Sequence, residues 1–369
     1  MRKRDRNTDA FFALLRAGLW EQGVRLSAYE PVDFASVYRL ASEQSVVGLI
    51  AAGLENVKDA AVNKYELLPF LKGVINLENR NSLMNSFIAK MAEKMKEADI
   101  FACVVKGQGV AQCYERPQWR AVGDVDYFLD ADNYEKAKAF LIPVAASVEA
   151  EDKIRLHQGM TIDSWIVELH GTMHSGISKR MDKGVDSVQR DIFERKGFRV
   201  WRNGETDVFL PNPDNDAVIV FTHFIEHFFV GGVGLRQISD WCRLLWTYRD
   251  GIDRELLGRR LEDMGLMSEW KAFARFAVTY LGMPEEAMPF YPSSSFDGKS
   301  RRICRLILDA GNFGHNKDQS YRKKYPSLEE KTITFWRRFG DYIRLSFIFP
   351  LDGPSFFLTY IFRKLRTVL

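Results

Sequence analysis

The sequence predicts an α+β fold in which a mixed sheet with its own helices is flanked along the chain by two helical regions. Three observations carry this. Apolar residues recur at three- and four-residue intervals over the first ninety-odd residues, short continuous or alternating apolar runs follow, and helical periodicity then returns to the end. With 369 residues the chain is long enough for two or three compact units. We place an N-terminal helical region at 1–99, a core at 100–213 and a C-terminal helical region at 214–369.

In the first region the helical period is clearest in "DFASVYRLASEQSVVGLIAAGLE" and "LMNSFIAKMAEKMKEADI". A change follows at Ile100, where "IFACVVK" reads as a short buried strand that stops at Lys106-Gly107, with a helix opening at about Gly109. "DVDYFLD" is a second strand. "DADNYEKAKAFL" has a helical period with Asp132 as its expected N-cap, and "TIDSWIVELHGTMH" is a further strand. The prolines of "FLPNPDND" mark a boundary, after which "AVIVFTHFIEHFFV" and "LRQISDWCRLLWTYR" are helices.

Composition excludes several classes. Hydrophobic residues make up 46% and charged residues 27%, as in a folded globular protein rather than a disordered or fibrous one. Cys103, Cys113, Cys242 and Cys304 form no CxxC pair, so neither a zinc finger nor a disulfide framework is indicated. The start, "MRKRDRNTDA", does not read as a signal peptide, and no apolar run reaches the roughly 18–20 residues of a bilayer span, so a cytoplasmic location is expected. A net charge of +3 gives no strong nucleic-acid signal. Its distribution is uneven: residues 331–369 carry seven basic and two acidic side chains.

The chemistry concentrates in "CVVKGQGVAQCYERPQWRAVGDVDYFLD", residues 103–130. Asp124 and Asp126 stand two apart on a predicted strand, so their carboxylates share one face of the sheet while Val125 faces the core. An isolated pair of this kind is more often a solvated strand edge. Here it is joined to a glycine turn, to Arg120 and Gly123, and to a later Glu168 between apolar neighbours on another strand. Three such carboxylates are hard ligands of the kind magnesium or manganese takes in two-metal sites. Glycines at 107 and 109 let backbone N–H groups approach a phosphate, and Lys106 or Arg120 supplies charge for a triphosphate.

This arrangement resembles the nucleotidyltransferase superfamily of the DNA polymerase beta type: a glycine turn, an acidic pair one residue apart, and a third acid on a later strand. More narrowly it is similar to a family of uncharacterised bacterial nucleotidyltransferases in which lysine-glycine replaces the usual glycine-serine. The matching residues are "VVKG" at 104–107, "RAVGDVDYFLD" at 120–130, "VELH" at 167–170, and "HFIEH" followed by "LRQISDWCRLL", within roughly residues 30–250. The resemblance implies transfer of a nucleoside monophosphate from an NTP, ATP among them, to an acceptor, with metal ligands at Asp124, Asp126 and Glu168. It also implies functional roles for Lys106 and Gly107; Gly109, Arg120, Gly123 and His170 are further nucleotide-binding candidates from their place in the same stretch and strands. The departure from glycine-serine leaves the grip on the triphosphate less defined than the metal positions.

Other readings compete. His170, two residues beyond Glu168, either touches the nucleotide or bonds within the cleft. "HFIEH" fits the pattern of inverted zinc proteases, with His223 and His227 as ligands and Glu226 as base, but no motif supplies a third ligand. Buried packing against a cleft wall is the commoner use of such histidines. Arg236 and Asp240 form either a helix ion pair or part of the cleft. A non-catalytic nucleotide- or partner-binding member of the fold is the main alternative to an enzyme. The acceptor, whether small molecule, RNA or protein, is not specified. "FWRRFGDYIRLSFIF" and "FFLTYIFRKLRTVL" mix aromatic and basic residues as peripheral membrane helices do, although a core-packing helix with a basic outer face is the more usual meaning.

Overall fold

Four helices precede the sheet in the computed structural model, which describes residues 5–59, 62–314, 316, 327–350, 353–354 and 356–359. Helix α1 (Arg6–Leu19) starts where Asp5 accepts from Thr8 N, and α2 (Phe34–Glu43) starts where Asp33 accepts from Ala35 N. Helix α3 (Val47–Glu55) follows, then the long α4 (Lys64–Glu97). A Cβ on Gly48 of α3 would stand 2.0 Å from the carbonyl oxygen of Trp119. The helix backbone thus rests directly on the segment that leads to the acidic strand.

The sheet region runs β1 (Cys103–Val105), α5 (Gly107–Ala111), β2 (Val125–Phe128), α6 (Ala131–Leu141), β3 (Ser147–Val148), β4 (His157–Ile162) and β5 (Trp165–His170). Strand order is β1-β2-β5-β4-β3. The β2–β5 pair is parallel and the other three pairs are antiparallel. After α7 (Lys179–Glu194), β6 (Phe198–Asn203) and β7 (Thr206–Pro211) form a separate hairpin. Helices α8 (Pro213–Val230), α9 (Leu235–Thr247), α10 (Arg254–Met264), α11 (Met267–Phe276) and α12 (Asp297–Ala310) follow, with a further helix at Ser327–Ser346. The fold is α+β, as the periodicities indicate.

Alternation along β2 divides the molecule. Val125 and Tyr127 enter a core cluster with Phe87, Ile88 and Met91 of α4 and Tyr134 of α6. Phe128, on the other face, belongs to a larger cluster that joins Phe11 and Ile50 from the first helices to Phe221, Trp241 and Trp270 from the last ones. Asp126 therefore points toward α8 and α9. All four cysteines are buried and unpaired, and no described helix is long and apolar enough to cross a membrane.

Three local expectations are corrected. Helix α6 is capped by Asp130, not Asp132: Asp130 has the extended backbone that a cap requires and accepts from Asn133 N at 2.8 Å, whereas Asp132 already lies in the first turn. "TIDSWIVELHGTMH" is not one strand. Asp163 and Ser164 both take positive φ, 47° and 71°, and turn the chain between β4 and β5 as a two-residue hairpin loop. The helix after β1 opens at Gly107 rather than Gly109.

The Gly48 contact gives a direct check. Gly48→Ala is expected to lower stability to urea by about 1–3 kcal/mol, because backbone on both sides must move to admit one methyl group. A smaller loss would mean that α3 does not support the segment before β2.

Candidate active site

The parallel register of β2 and β5 sets Asp126 directly beside Glu168 and Phe128 beside His170. Antiparallel pairing then sets His157 of β4 opposite His170. Asp124 precedes β2 by one residue. Its carboxylate, with those of Asp126 and Glu168, offers ligand oxygens that all lie within 4.8 Å of one another. The two strands thus bring together three acids separated by up to 44 residues.

Lys106 closes the cluster from the end of β1. Its Nζ lies 2.8 Å from Asp126 Oδ1, and His170 Nε2 lies 2.9 Å from the same oxygen. To reach there Lys106 adopts φ 57° and ψ −142°, a region that residues other than glycine rarely enter, at a cost of about 1–3 kcal/mol. Gly107 follows with φ 36°. The pair occupies the turn where relatives of the resembled superfamily carry glycine first.

Electrostatics in the cluster is unbalanced. The charge of Asp126, then burial, pushes the Asp124 carboxyl above its ordinary value. Burial also opposes ionisation of Asp126, but Lys106 and the His170 hydrogen bond outweigh it and hold that carboxyl low. Glu168 is likewise held well below the usual range, against burial, by hydrogen bonds from His157 at 3.3 Å and His170 at 3.4 Å. His170, despite burial, is raised by Asp126 and Glu168. Three carboxylate donors fit a hard dication such as Mg²⁺, and the raised Asp124 marks negative charge that the protein's own cations leave uncompensated. His157 and His170 stand beside the carboxylates with their Nε2 atoms engaged by Glu168 and Asp126, and the oxygen donors that remain suit Mn²⁺ as well.

The cluster opens on a cavity of about 120 Å³ whose opposite wall is α8 and α9, including Val220, His223, His227, Arg236, Gln237 and Asp240. His223 accepts from Lys106 at 3.4 Å. Burial, then the nearby ammonium, keeps His223 well below its ordinary value and brings His227 down to about 4, so both are neutral at pH 7. Glu226 pairs with Arg155 at 3.4 Å. Among the described residues, two groups of His, Cys, Asp or Glu lie close enough to share a metal, and neither contains His223, Glu226 or His227. The zinc-protease pattern has no third ligand there.

Arg120 also lines the cavity, yet the structure engages all three of its nitrogens. Nε and Nη2 donate to the two oxygens of Asp240 at 2.8 and 2.7 Å, and Nη1 donates to the carbonyl of Ala121. Tyr114 donates a further bond to Asp240 at 2.8 Å. Arg236 does not need Asp240 as a helix partner to hold its place: Nη1 donates to the carbonyls of Ala121 and Val122. Helix α9 thereby grips residues 120–122, and a Cβ on Gly123 would meet the Arg236 guanidinium at 3.5 Å. From the other side Asn81 of α4 donates to the carbonyls of Gln118 and Arg120 at 2.8 and 2.9 Å. Gly109 lies against Leu210 of β7 and packs the short helix rather than facing the acids.

Sequence reasoning missed His157, Tyr114 and Asn81. His157 carries a signal in hindsight, since it opens a strand whose register is fixed by the Asp163-Ser164 turn. Tyr114 and Asn81 carry none, as each acts on a partner more than 35 residues away in the sequence.

Residues 30–282 match the family model described as uncharacterised nucleotidyltransferase. The chain belongs to this family. No curated protein shows significant similarity to it. A crystal structure of an antigenic nucleotidyltransferase-like protein from Paracoccidioides brasiliensis is similar over 54% of this chain and 92% of that one, at 13% identity and a TM-score of 0.33. That likeness is too slight to carry any argument about this nucleotidyltransferase-family chain.

Two outcomes follow from the geometry. Replacing Asp240 by Ala leaves the Arg120 guanidinium buried without its carboxylate and is expected to cost about 3–5 kcal/mol in urea unfolding. Lys106→Gly and Lys106→Ala both remove the ammonium, but only glycine relieves the backbone. The glycine variant should therefore be the more stable of the two by about 1 kcal/mol or more; equal stabilities would show that residue 106 is unstrained.

Proposed function

We propose that this chain catalyses a divalent-metal-dependent nucleotidyl transfer, moving a nucleoside monophosphate from an NTP to an acceptor and releasing pyrophosphate. Family membership supports the reaction class. The observation that carries the finer reading is the convergence of Asp124, Asp126 and Glu168 at the mouth of a cavity also lined by Lys106 and Gly107.

Asp124, Asp126 and Glu168 would hold the metal, which when bound supplies charge stabilisation for the attacking and leaving oxygens. The chain's own groups do the rest. Gly107, with no side chain in the way, lets backbone approach the polyphosphate, and Lys106 is the cation that meets it. Arg120 takes a positioning role instead, fixing the segment that carries Asp124. An acceptor oxygen bonds to the α-phosphorus, the bond from that phosphorus to the bridging oxygen of pyrophosphate breaks, and the acceptor's proton passes to Glu168. The low value of Glu168 makes it a weak base at rest, so the proton moves as the new O–P bond raises the acidity of the acceptor. Catalysis of this type is mainly positioning and charge neutralisation.

Incubation with α-labelled NTPs, Mg²⁺ and a cell extract should transfer label to one acceptor class and release pyrophosphate. Chelation with EDTA should stop it. Asp124→Asn with Asp126→Asn should lower the rate by at least about a thousandfold, in the range seen when transition-state charge stabilisation is removed. Metal-dependent NTP binding without pyrophosphate release from the unaltered chain would instead identify a non-catalytic binder. Mn²⁺, which takes the same oxygen donors, should support the reaction in place of Mg²⁺.

A further inference from the structure

The helix Ser327–Ser346 has an apolar face toward the protein and a second one toward solvent. On the inner side Tyr342 and Leu345 are buried, as are Ile348 and Phe349 just beyond the helix; Phe349 meets Phe228 and Phe229 of α8. This is the anchoring face. On the outer side Phe335, Trp336, Phe339, Ile343 and Phe347 are 44%, 61%, 36%, 44% and 67% exposed. At the angular spacing of an α-helix these five positions fall within an arc of about 120°. Their rings also touch: Phe335 stacks on Phe339 at 6.4 Å, and Trp336 meets Phe339 edge-on at 5.8 Å. Leu358, 55% exposed, follows Phe357, whose ring packs against Phe339 at 5.5 Å. A contiguous aromatic patch of this kind is unusual on a surface that meets only water.

The charge around the patch is positive. Arg337 and Arg344 are exposed along one margin of the aromatic arc. Arg302 of α12 donates to the carbonyl of Phe347 at 2.6 Å, and Arg301 and Arg305 are exposed on the same helix. Among the described residues, the acidic ones on the Ser327–Ser346 helix are Glu329 at the edge of the aromatic arc and Asp341 beside Arg337 and Arg344, fewer than the exposed arginines around the patch. The second aromatic-basic stretch singled out in the sequence lies outside the described residues apart from 356–359 and contributes nothing further here.

We propose that this face docks on an anionic lipid surface, with the rings seated at the headgroup boundary and the arginines on acidic headgroups. Indole and phenyl groups beside arginines are the composition of an interfacial helix, and the helix is too polar on its other positions to span a bilayer. A second copy of the chain is disfavoured as the occupant, since two such faces would bring like charge together. The proposal is independent of the nucleotidyl-transfer reading, as none of these residues lines the cavity.

The test is co-sedimentation of the full chain with vesicles of phosphatidylcholine alone and of phosphatidylcholine mixed with phosphatidylglycerol. The chain should sediment with the mixed vesicles, with a blue shift in tryptophan emission, and should be released by high salt. Trp336→Ser with Phe339→Ser should weaken partitioning by about tenfold or more without changing the circular dichroism spectrum. Arg337→Glu with Arg344→Glu, which leaves every ring in place, should do the same. Absence of binding, equal binding to both vesicle types, or unchanged binding by both variants would overturn the proposal. So would self-association in sedimentation velocity that the serine variant abolishes, which would assign the face to a second copy.

Discussion

Mutual repulsion among three carboxylates is the constraint that the rest of this structure accommodates. Parallel pairing of β2 with β5 forces Asp126 and Glu168 into adjacent positions on one face, and the residue before β2 adds Asp124. Such an arrangement persists in a folded chain only if cations answer it. The protein supplies Lys106 and His170 on Asp126 itself, and the remaining imbalance falls on Asp124.

What surrounds the acids serves to hold them still. The segment from Gln118 to Val122 carries no regular secondary structure at its end, yet its carbonyls are held by Asn81 from α4 and by Arg236 from α9, while Arg120 is locked onto Asp240. Buried charged groups are costly unless their bonding is complete, so the Arg120–Asp240–Tyr114 group stabilises one arrangement of this segment against others. Helix α3 adds steric support through Gly48. Both flanking helical regions are thereby engaged in placing a single loop.

The cavity is asymmetric in charge. On the sheet side it is acidic and holds Lys106; on the helix side His223 and His227 are neutral, because burial and the same ammonium keep protons off them. Neutral histidines facing an acidic sheet leave the attraction of a cation mainly to the sheet side, while Arg236 and Asp240 on the same wall are engaged with the segment before β2. The strained backbone at Lys106 is the cost of placing an ammonium where a glycine would fit without strain.

The α+β class, the acidic pair and Glu168 were legible from sequence, because strand alternation is a local property: Val125 and Tyr127 point one way, Asp126 the other, whatever the rest of the chain does. The turn at Lys106-Gly107 was legible for the same reason. Tertiary structure alone decided which cation answers which acid. Arg120 sits four residues before Asp124 and looks available for a phosphate, but a carboxylate 120 residues later takes it. Likewise His157 reaches Glu168 only through the β4–β5 register, and Asn81 reaches the loop only because α4 crosses it. Pairing across the fold depends on where whole elements pack, and no periodicity within a short stretch encodes that. Side-chain direction within a strand is written locally; the partner at the far end of the hydrogen bond is not.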